Sequence, residues 1–222
     1  MRFYGNRLLV EAQARQGFSG GLIAGCDISG LEFRDSAWKD VQLREVCAVR
    51  AVFLKMDILC SAFFRCSLTR MSFASSVMRD VTLDGLVLIR SRWLEGRLES
   101  VALRSCCLQR AEFARTLISA CGFTDFEAIE SRLENCVFAD SRFTLTYGSG
   151  MNGFSGAHIK NCIFYNCRFE GVPLRGARLE NSLFIRCSGE GGGEPYPRAA
   201  ASPFVRRGGA QALLKRFTGS AE

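Results

Sequence analysis

The 222-residue sequence holds a single histidine, His158, and no Cys-x-x-Cys pair. Cys/His zinc-ligand spacing is therefore absent, and a histidine-dependent triad has only one residue to draw on. His158 sits beside an apolar residue that reads as inward, so it is expected at the surface. No Gly-x-x-x-x-Gly-Lys stretch occurs, which removes the phosphate-cradling loop of nucleotide hydrolases. The glycine-rich Gly189–Gly193 lacks both the lysine and a following helix. No apolar run approaches the ~18 residues of a membrane-spanning helix. The opening Met1-Arg2-Phe3-Tyr4-Gly5-Asn6-Arg7 lacks a long apolar segment and a small-residue cleavage site, so no secretory signal is expected. The expected site is the cytoplasm; a specialised secretion machine would export the chain to a host or target cell without such a signal. Carboxylates are scattered, with no enclosed pair for acid–base chemistry. Neither an enzyme, nor a cofactor, nor a metal site is expected.

What the chain does have is a beat. A large apolar residue recurs every fifth position: Phe18, Ile23, Ile28, Phe33, Trp38, Leu43, then Phe53 onward to Phe123, Leu133, Phe138 and Phe143. Ala48 and Ala128 drop it. It returns one residue out of phase at Phe154, Ile159, Phe164, Phe169, Leu174, Leu179 and Phe184. In all, 31 of 33 beat positions are large and apolar, too regular for chance. A period of five fits neither a helix (3.6) nor a flat strand (2.0), which points to a repeat architecture.

The other bulk features fall into place around this beat. The chain is 48% hydrophobic and 23% charged, as expected of one folded domain or one elongated array. It has 11 cysteines, but eight of them (Cys26, Cys66, Cys106, Cys121, Cys136, Cys162, Cys167 and Cys187) lie two places before a beat position, with the phase continued to residue 189 for the last. That placement reads as a small inward packing slot for free thiols. The net charge of +7 divides into +2 from residues 1–15, +2 from 189–222 and +3 from the repeats, a mildly basic balance.

Individual quintets read small apolar, polar, large apolar, then two mostly polar or glycine residues. Examples are Cys26-Asp27-Ile28-Ser29-Gly30, Cys66-Ser67-Leu68-Thr69-Arg70, Ala111-Glu112-Phe113-Ala114-Arg115 and Ala177-Arg178-Leu179-Glu180-Asn181. This resembles the pentapeptide-repeat family, with degenerate repeats, over about three quarters of the chain. The resemblance implies an all-β fold: a right-handed quadrilateral parallel β-helix of about eight coils, four quintets to a coil. The beat residue and the residue two before it would point inward. Residues 16–188 would then form a rod on the order of 40 Å long.

Sorting by twenty gives columns that agree with four walls. Phe33, Phe53, Phe73, Trp93, Phe113 and Leu133 are almost purely aromatic; Ile23, Leu43, Phe63, Leu83, Leu103, Phe123 and Phe143 are mainly aliphatic. Ile28, Ala48, Leu68, Leu88, Leu108 and Ala128 hold both defects. Residues 1–15, with Phe3 and Leu8 on the beat, are expected to cap the open end. Residues 144–153 carry three glycines in six residues and read as a bulge or short loop that absorbs one extra residue. Residues 189–222 read as a Gly/Pro linker and basic tail, with a short helix over 210–218 placing Leu213, Leu214 and Phe217 on one face.

The interaction surface is expected on the third column's wall. Two residues after its beat come Arg50, Arg70, Arg90 and Arg110, which would form a vertical ladder in steps of about 4.8 Å. Val49, Val87, Ile89 and Ile129, with Cys47 and Cys107, occupy outward positions on the same wall, as a partner surface would. Arginine suits bidentate contacts to carboxylates or phosphates; the alternative is that Val and Ile supply β-propensity and Arg supplies charge. Tyr147, Gly148, Met151 and Asn152 form a second candidate contact region, the loop.

The resulting expectation is a non-enzymatic rod that binds a protein partner, within the secretion-system effectors or accessory factors found among pentapeptide-repeat proteins. The alternative is a DNA-gyrase or topoisomerase-protecting protein of the quinolone-resistance or self-immunity type. Those resemble DNA in charge, which the +7 balance disfavours. Direct nucleic-acid binding is weaker still, with no exposed stacking platform. No membrane span is expected, and a homodimer through one end or the C-terminal segment is compatible with the reading.

Overall fold

The computed structural model describes residues 2–172, 174 and 176–190; the linker and helix expected beyond residue 190 lie outside this set. The described chain is a parallel β-solenoid of about nine coils with one short helix. Arg2–Tyr4 (β1) precedes Arg7–Gln13 (α1), and Phe18–Ala24 (β2), Glu32–Arg34 (β3) and Ala37–Arg44 (β4) begin the coils. Each later strand is three residues long and, except for the last, Ser188–Glu190, centred on a beat residue, its middle side chain inward and its neighbours outward. We number the walls by their first beat residue: wall 1 from Phe18, wall 2 from Ile23, wall 3 from Ile28 and wall 4 from Phe33.

Successive coils stack twenty residues apart. Phe18 lies on Trp38 and Ile23 on Leu43, while wall 4 carries Phe33, Phe53, Phe73, Trp93, Phe113 and Leu133 in one register. The inward columns are buried rings at close spacing. Phe33 stacks on Phe53 at 5.1 Å between centroids and Trp93 on Phe113 at 5.6 Å, within the range where aromatic pairs add to simple burial.

The corners carry a feature with no counterpart in the hydrophobic pattern. The residue two after the beat has positive φ in every described quintet but that of Phe143, where Leu145 opens the inserted loop, and most such residues are not glycine: Asp35 at 49°, Arg50 at 59°, Ser100 at 54°, Asn135 at 55°. A strand of three residues cannot curve through a quarter turn, so the chain reverses its twist at one residue per wall. The left-handed conformation costs about 1–2 kcal/mol for an ordinary side chain. It is offset because the corner amide reaches the next coil: Arg50 N donates to Thr69 O at 3.0 Å and Arg70 N to Ile89 O at 2.9 Å.

The slot two before the beat does more than pack. Ser76 Oγ donates to Ala74 O at 2.7 Å and accepts from Met56 N at 2.8 Å. Cys121 Sγ does the same work, donating to Ser119 O at 3.2 Å and accepting from Val101 N at 3.4 Å. Seven of the eight slot cysteines are buried and Cys187 is half-buried, and all 11 are free. Burial pushes the Cys106 thiol up to about 12 and the Cys121 thiol up to about 11, so the thiolate that reacts is scarce at neutral pH. Alkylation of the native protein with iodoacetamide at pH 7.5, read by mass spectrometry, is expected to modify Cys60, the exposed one, first. Cys106 and Cys121 should react only after denaturation. Native labelling of Cys121 at the rate of Cys60 would contradict the packing role.

Two readings of the sequence need correction. First, the break after Phe143 holds six extra residues. Leu133 pairs with Ile159 and Phe138 with Phe164, twenty-six apart, and Ala128 N donates to Gly153 O at 2.7 Å. An insertion of six shifts a period of five by the same single residue as an insertion of one. Second, Phe3 does not enter the inward column. β1 pairs with β2 so that Phe3 meets Leu22 and Tyr4 meets Ile23; Tyr4 packs edge-on to Phe18 at 5.0 Å, and Phe3 is 63% exposed. Leu8 is exposed too, because it lies on α1, where Val10 is the buried residue. The expected fold class holds: the described chain is a nearly all-β parallel solenoid, and its one short helix, α1, forms over Arg7–Gln13 with Asn6 capping it through Leu9 N at 3.0 Å.

The gap left by Ala128 is filled by its own quintet. Phe126 occupies the slot where small residues usually sit, is fully buried, and packs edge-on to Phe154 at 5.0 Å and Phe123 at 5.7 Å. A small void remains beside Ala128, lined by Leu108, Phe126, Ser131 and Phe154 among others.

Candidate interaction surface

Wall 3 differs from the other three in its backbone. Only one residue per coil pairs with the next, in the chain Asp27, Cys47, Ser67, Val87, Cys107, Glu127, Gly153. The beat residue then opens a tight turn. Ala51 N donates to Ala48 O at 3.1 Å, Met71 N to Leu68 O at 3.1 Å, and Ala111 N to Leu108 O at 2.9 Å. The third residue of each turn has positive φ, as a type II turn requires; it is Arg50, Arg70, Arg90 or Arg110, at 59°, 58°, 57° and 56°. The arginine ladder is therefore a row of turn corners, which places every guanidinium at the convex edge of the rod.

The structure separates the ladder into two parts. Arg110 Nε meets Glu130 Oε2 at 2.6 Å, so the last member is tied to the next corner. Arg50, Arg70 and Arg90 are exposed and have no ion pair or hydrogen-bonding side-chain partner among the described residues. The other cationic corners are partnered: Lys55 with Asp35 at 3.9 Å, Arg65 with Glu45 at 3.9 Å, Arg115 with Glu95 at 2.7 Å, and Arg186 with Tyr165 Oη at 3.1 Å. Coil-to-coil pairing of opposite charges is thus the habit of this rod, and three successive arginines depart from it.

The apolar part of the wall is less open than its outward positions imply. Val87 is 38% exposed, whereas Val49, Ile89 and Ile129 are half-buried, as are Cys47 and Cys107. Stacking at inter-strand spacing lets each outward side chain cover part of its neighbour. Val87 and Ile89 flank the beat residue Leu88, directly before Arg90.

The inserted loop is stitched down. Thr146 N and Oγ1 both donate to Asp125, at 2.6 and 2.9 Å, and Asn152 Nδ2 donates to Glu127 Oε1 at 3.1 Å. Tyr147 is fully exposed, Gly148 turns at φ 79°, and Met151 is half-buried. Gly153 rejoins wall 3 at φ 56°, where a Cβ would stand 3.1 Å from Val172 Cγ1. The loop and the arginine edge do not form one cluster: the loop lies over Glu127, beyond Arg110 and Glu130. His158 is half-buried and meets Glu180 Oε1 at 3.4 Å, so it stands less open than a free surface histidine.

One outward feature escaped the sequence reading. Leu117, Val137 and Ile163 stack on the outer face of wall 1. Sorting the residues one before the beat by twenty finds the first two, but the six-residue insertion breaks the row before Ile163.

No curated protein matches the sequence. Among solved structures, a trypsin-treated, singly substituted form of QnrB1, described as a plasmid-mediated fluoroquinolone resistance protein, is 14% identical, with 81% of this chain and 92% of that chain covered and a TM-score of 0.42. HetL, a pentapeptide-repeat protein involved in heterocyst differentiation regulation from the cyanobacterium Nostoc sp. strain PCC 7120, is 13% identical, with 82% and 92% covered and a TM-score of 0.31. Rfr23, a pentapeptide-repeat protein from the cyanobacterium Cyanothece 51142, is 12% identical, with 76% and 91% covered and a TM-score of 0.16. Residues 154–188 match the pentapeptide-repeat family, with eight copies. Residues 154–188 thus carry pentapeptide repeats, and the same quintet, corner and inter-coil register run from them back to Phe18.

Proposed function

We propose that the rod is a non-enzymatic module that binds a protein partner through wall 3, with Arg50, Arg70 and Arg90 as the charged edge of the contact. The observation that carries this reading is the missing counter-charge. Among described cationic corners these three alone lack a partner, although like charges stacked on neighbouring strands destabilise. A carboxylate-rich partner surface would supply the absent acids and use the fork geometry of arginine, with Val87 as the apolar contact beside them. Because these side chains are exposed, reversing them leaves the core untouched.

In pull-downs from extracts of the source cells, the combined Arg50→Glu, Arg70→Glu and Arg90→Glu variant is expected to lose the proteins that the parent chain retains, with an unchanged circular dichroism spectrum. Equal capture by the two chains would remove wall 3 from consideration. A cytoplasmic site of synthesis and a part as effector or accessory factor of a secretion system belong to the same proposal. A translocation reporter fused to the chain tests them. Topoisomerase protection is sorted out by a supercoiling assay with gyrase and a gyrase poison, where clear protection would replace our reading.

A further inference from the structure

All 11 cysteines lie within the described residues, yet only two pairs of them share a position in adjacent coils. Cys136 lies beneath Cys162 in the wall 1 slot, where Ile163 N donates to Cys136 O at 3.0 Å. Cys167 lies beneath Cys187 in the wall 2 slot, where Ser188 N donates to Cys167 O at 2.9 Å and Arg168 pairs with Ser188. Stacking at inter-strand spacing puts the two Cα atoms of each pair about 4.8 Å apart, inside the window of about 4.4–6.8 Å that a disulfide spans. Elsewhere the columns keep thiols apart: Cys26, Cys66 and Cys106 alternate with Val46 and Leu86, and Cys121 is followed by Ser141.

The two pairs differ in what reaches them. Cys136 and Cys162 are 1% and 0% exposed. Contact with Cys136, together with burial, raises Cys162 well above the ordinary thiol range, so it holds its proton. Cys187 is half-buried, in the last described coil. The Cys167 thiol donates to it, and that hydrogen bond brings Cys187 down to about 7 against the effect of burial. The same contact, with burial, keeps Cys167 protonated. One sulfur of this pair is therefore a thiolate for much of the time at neutral pH and within reach of a small solute, while its neighbour is a thiol in direct contact. Cys60, the exposed cysteine, has Asp40 and Asp80 as its counterparts in the adjoining coils and no thiol.

We propose that Cys187 and Cys167 form a peroxide-responsive dithiol site, which closes to a disulfide and ties two neighbouring coils together. The Cys187 thiolate attacks one oxygen of hydrogen peroxide. The O–O bond breaks, and the other oxygen leaves as hydroxide, which becomes water with the proton that Cys187 gave up. Cys187 is now a sulfenic acid, and the neighbouring charge that held the Cys167 proton is gone. The Cys167 sulfur attacks the Cys187 sulfur, the S–S bond forms, and the sulfenic oxygen departs as water with the Cys167 proton. Two thiols and one peroxide give one disulfide and two waters, with two electrons passing from sulfur to oxygen. A thiol reductant reverses the closure. In a solenoid held by neighbour terms, such a bond fixes one coil-to-coil interface covalently, so those two coils part only after reduction.

Peptide mapping of the full-length, pre-reduced protein tests this. The protein is treated with hydrogen peroxide, denatured, alkylated with N-ethylmaleimide, digested without reductant and read by mass spectrometry. The peptide linked through Cys167 and Cys187 is expected to form several-fold faster than one linked through Cys136 and Cys162, and to vanish with dithiothreitol. Two variants assign the roles, and both should fold, because serine already fills such slots at Ser141 and Ser182. In Cys167→Ser, Cys187 should accumulate as a sulfenic acid captured by dimedone; in Cys187→Ser, Cys167 should stay reduced. The proposal is overturned by the lack of a linked peptide at a peroxide dose that oxidises Cys60, by equal rates for the two pairs, or by a Cys167→Ser protein without a dimedone adduct on Cys187. Linkage that slows when the protein is diluted at fixed peroxide would overturn it too, since the bond would then join two copies.

Discussion

Replacing Phe143 by alanine is expected to lower the stability of the rod by about 3–5 kcal/mol, the range for a buried aromatic removed from a packed core. Phe143 is fully buried and stacks on Phe123 at 4.9 Å and on Phe169 at 4.8 Å. It also touches Phe138, Phe154 and Phe164 at centroid distances of 5.7, 5.4 and 6.2 Å. The first stacking partner is one regular coil away and the second lies across the six-residue insertion, so this ring joins the two phases of the repeat. A solenoid is held together by neighbour terms, and weakening one interface separates the coils on either side of it. Both tryptophans, Trp38 and Trp93, lie before Phe143. In urea unfolding the variant should therefore lose β-signal by circular dichroism at lower denaturant than it loses the tryptophan signal. Coincident transitions with a shift below about 1 kcal/mol would mean that the neighbouring rings close the gap.

The second large effect concerns Phe126 and Ala128. Phe126→Ala alone should cost about 3–5 kcal/mol, since its ring fills the space beside Ala128 and meets Phe154 and Phe123. Ala128→Phe alone adds a ring to a site holding only a small void and should cost about 1–3 kcal/mol by overpacking. Exchanging the two, Phe126→Ala with Ala128→Phe, restores the usual quintet order and is expected to be markedly less damaging than the sum. Chemical denaturation of the four proteins gives the coupling energy, expected at about 2 kcal/mol. Additive costs would show that Ala128 is a plain defect and that Phe126 does not fill it.

Much of the fold is written in the spacing. The five-residue beat gives the inward residues, and sorting by twenty gives the walls, because stacking in parallel register puts chemically similar rings above each other. Cysteine positions are legible for the same reason, although hydrogen bonding by those thiols is not, since it depends on carbonyls that only the folded corner brings near. The corners themselves are silent in the sequence. Left-handed residues are usually sought as glycine, and here arginine, aspartate, serine and asparagine adopt that conformation.

Phase arithmetic also hides length. The insertion after Phe143 shifts the beat by one whether it holds one residue or six, and only the pairing of Leu133 with Ile159 decides. At the amino terminus, α1 breaks the period, so Phe3 and Leu8 follow the beat in sequence but face outward in space. At the candidate surface the ladder is visible as four arginines, but the Arg110–Glu130 pair is not, because nothing in the spacing tells which side chains close on each other.

The left-handed corners have a consequence for how such a rod changes over time. None of the described non-glycine corner residues is valine, isoleucine, threonine or aromatic, as expected where branching at Cβ collides with a positive φ. Apolar bulk is thus confined to the walls, and the four edges are open to small, polar and charged residues alone. Each edge can be rewritten one quintet at a time without disturbing the interior, so the recognition pattern and the scaffold can drift independently, like lettering on the spine of a book whose binding stays the same.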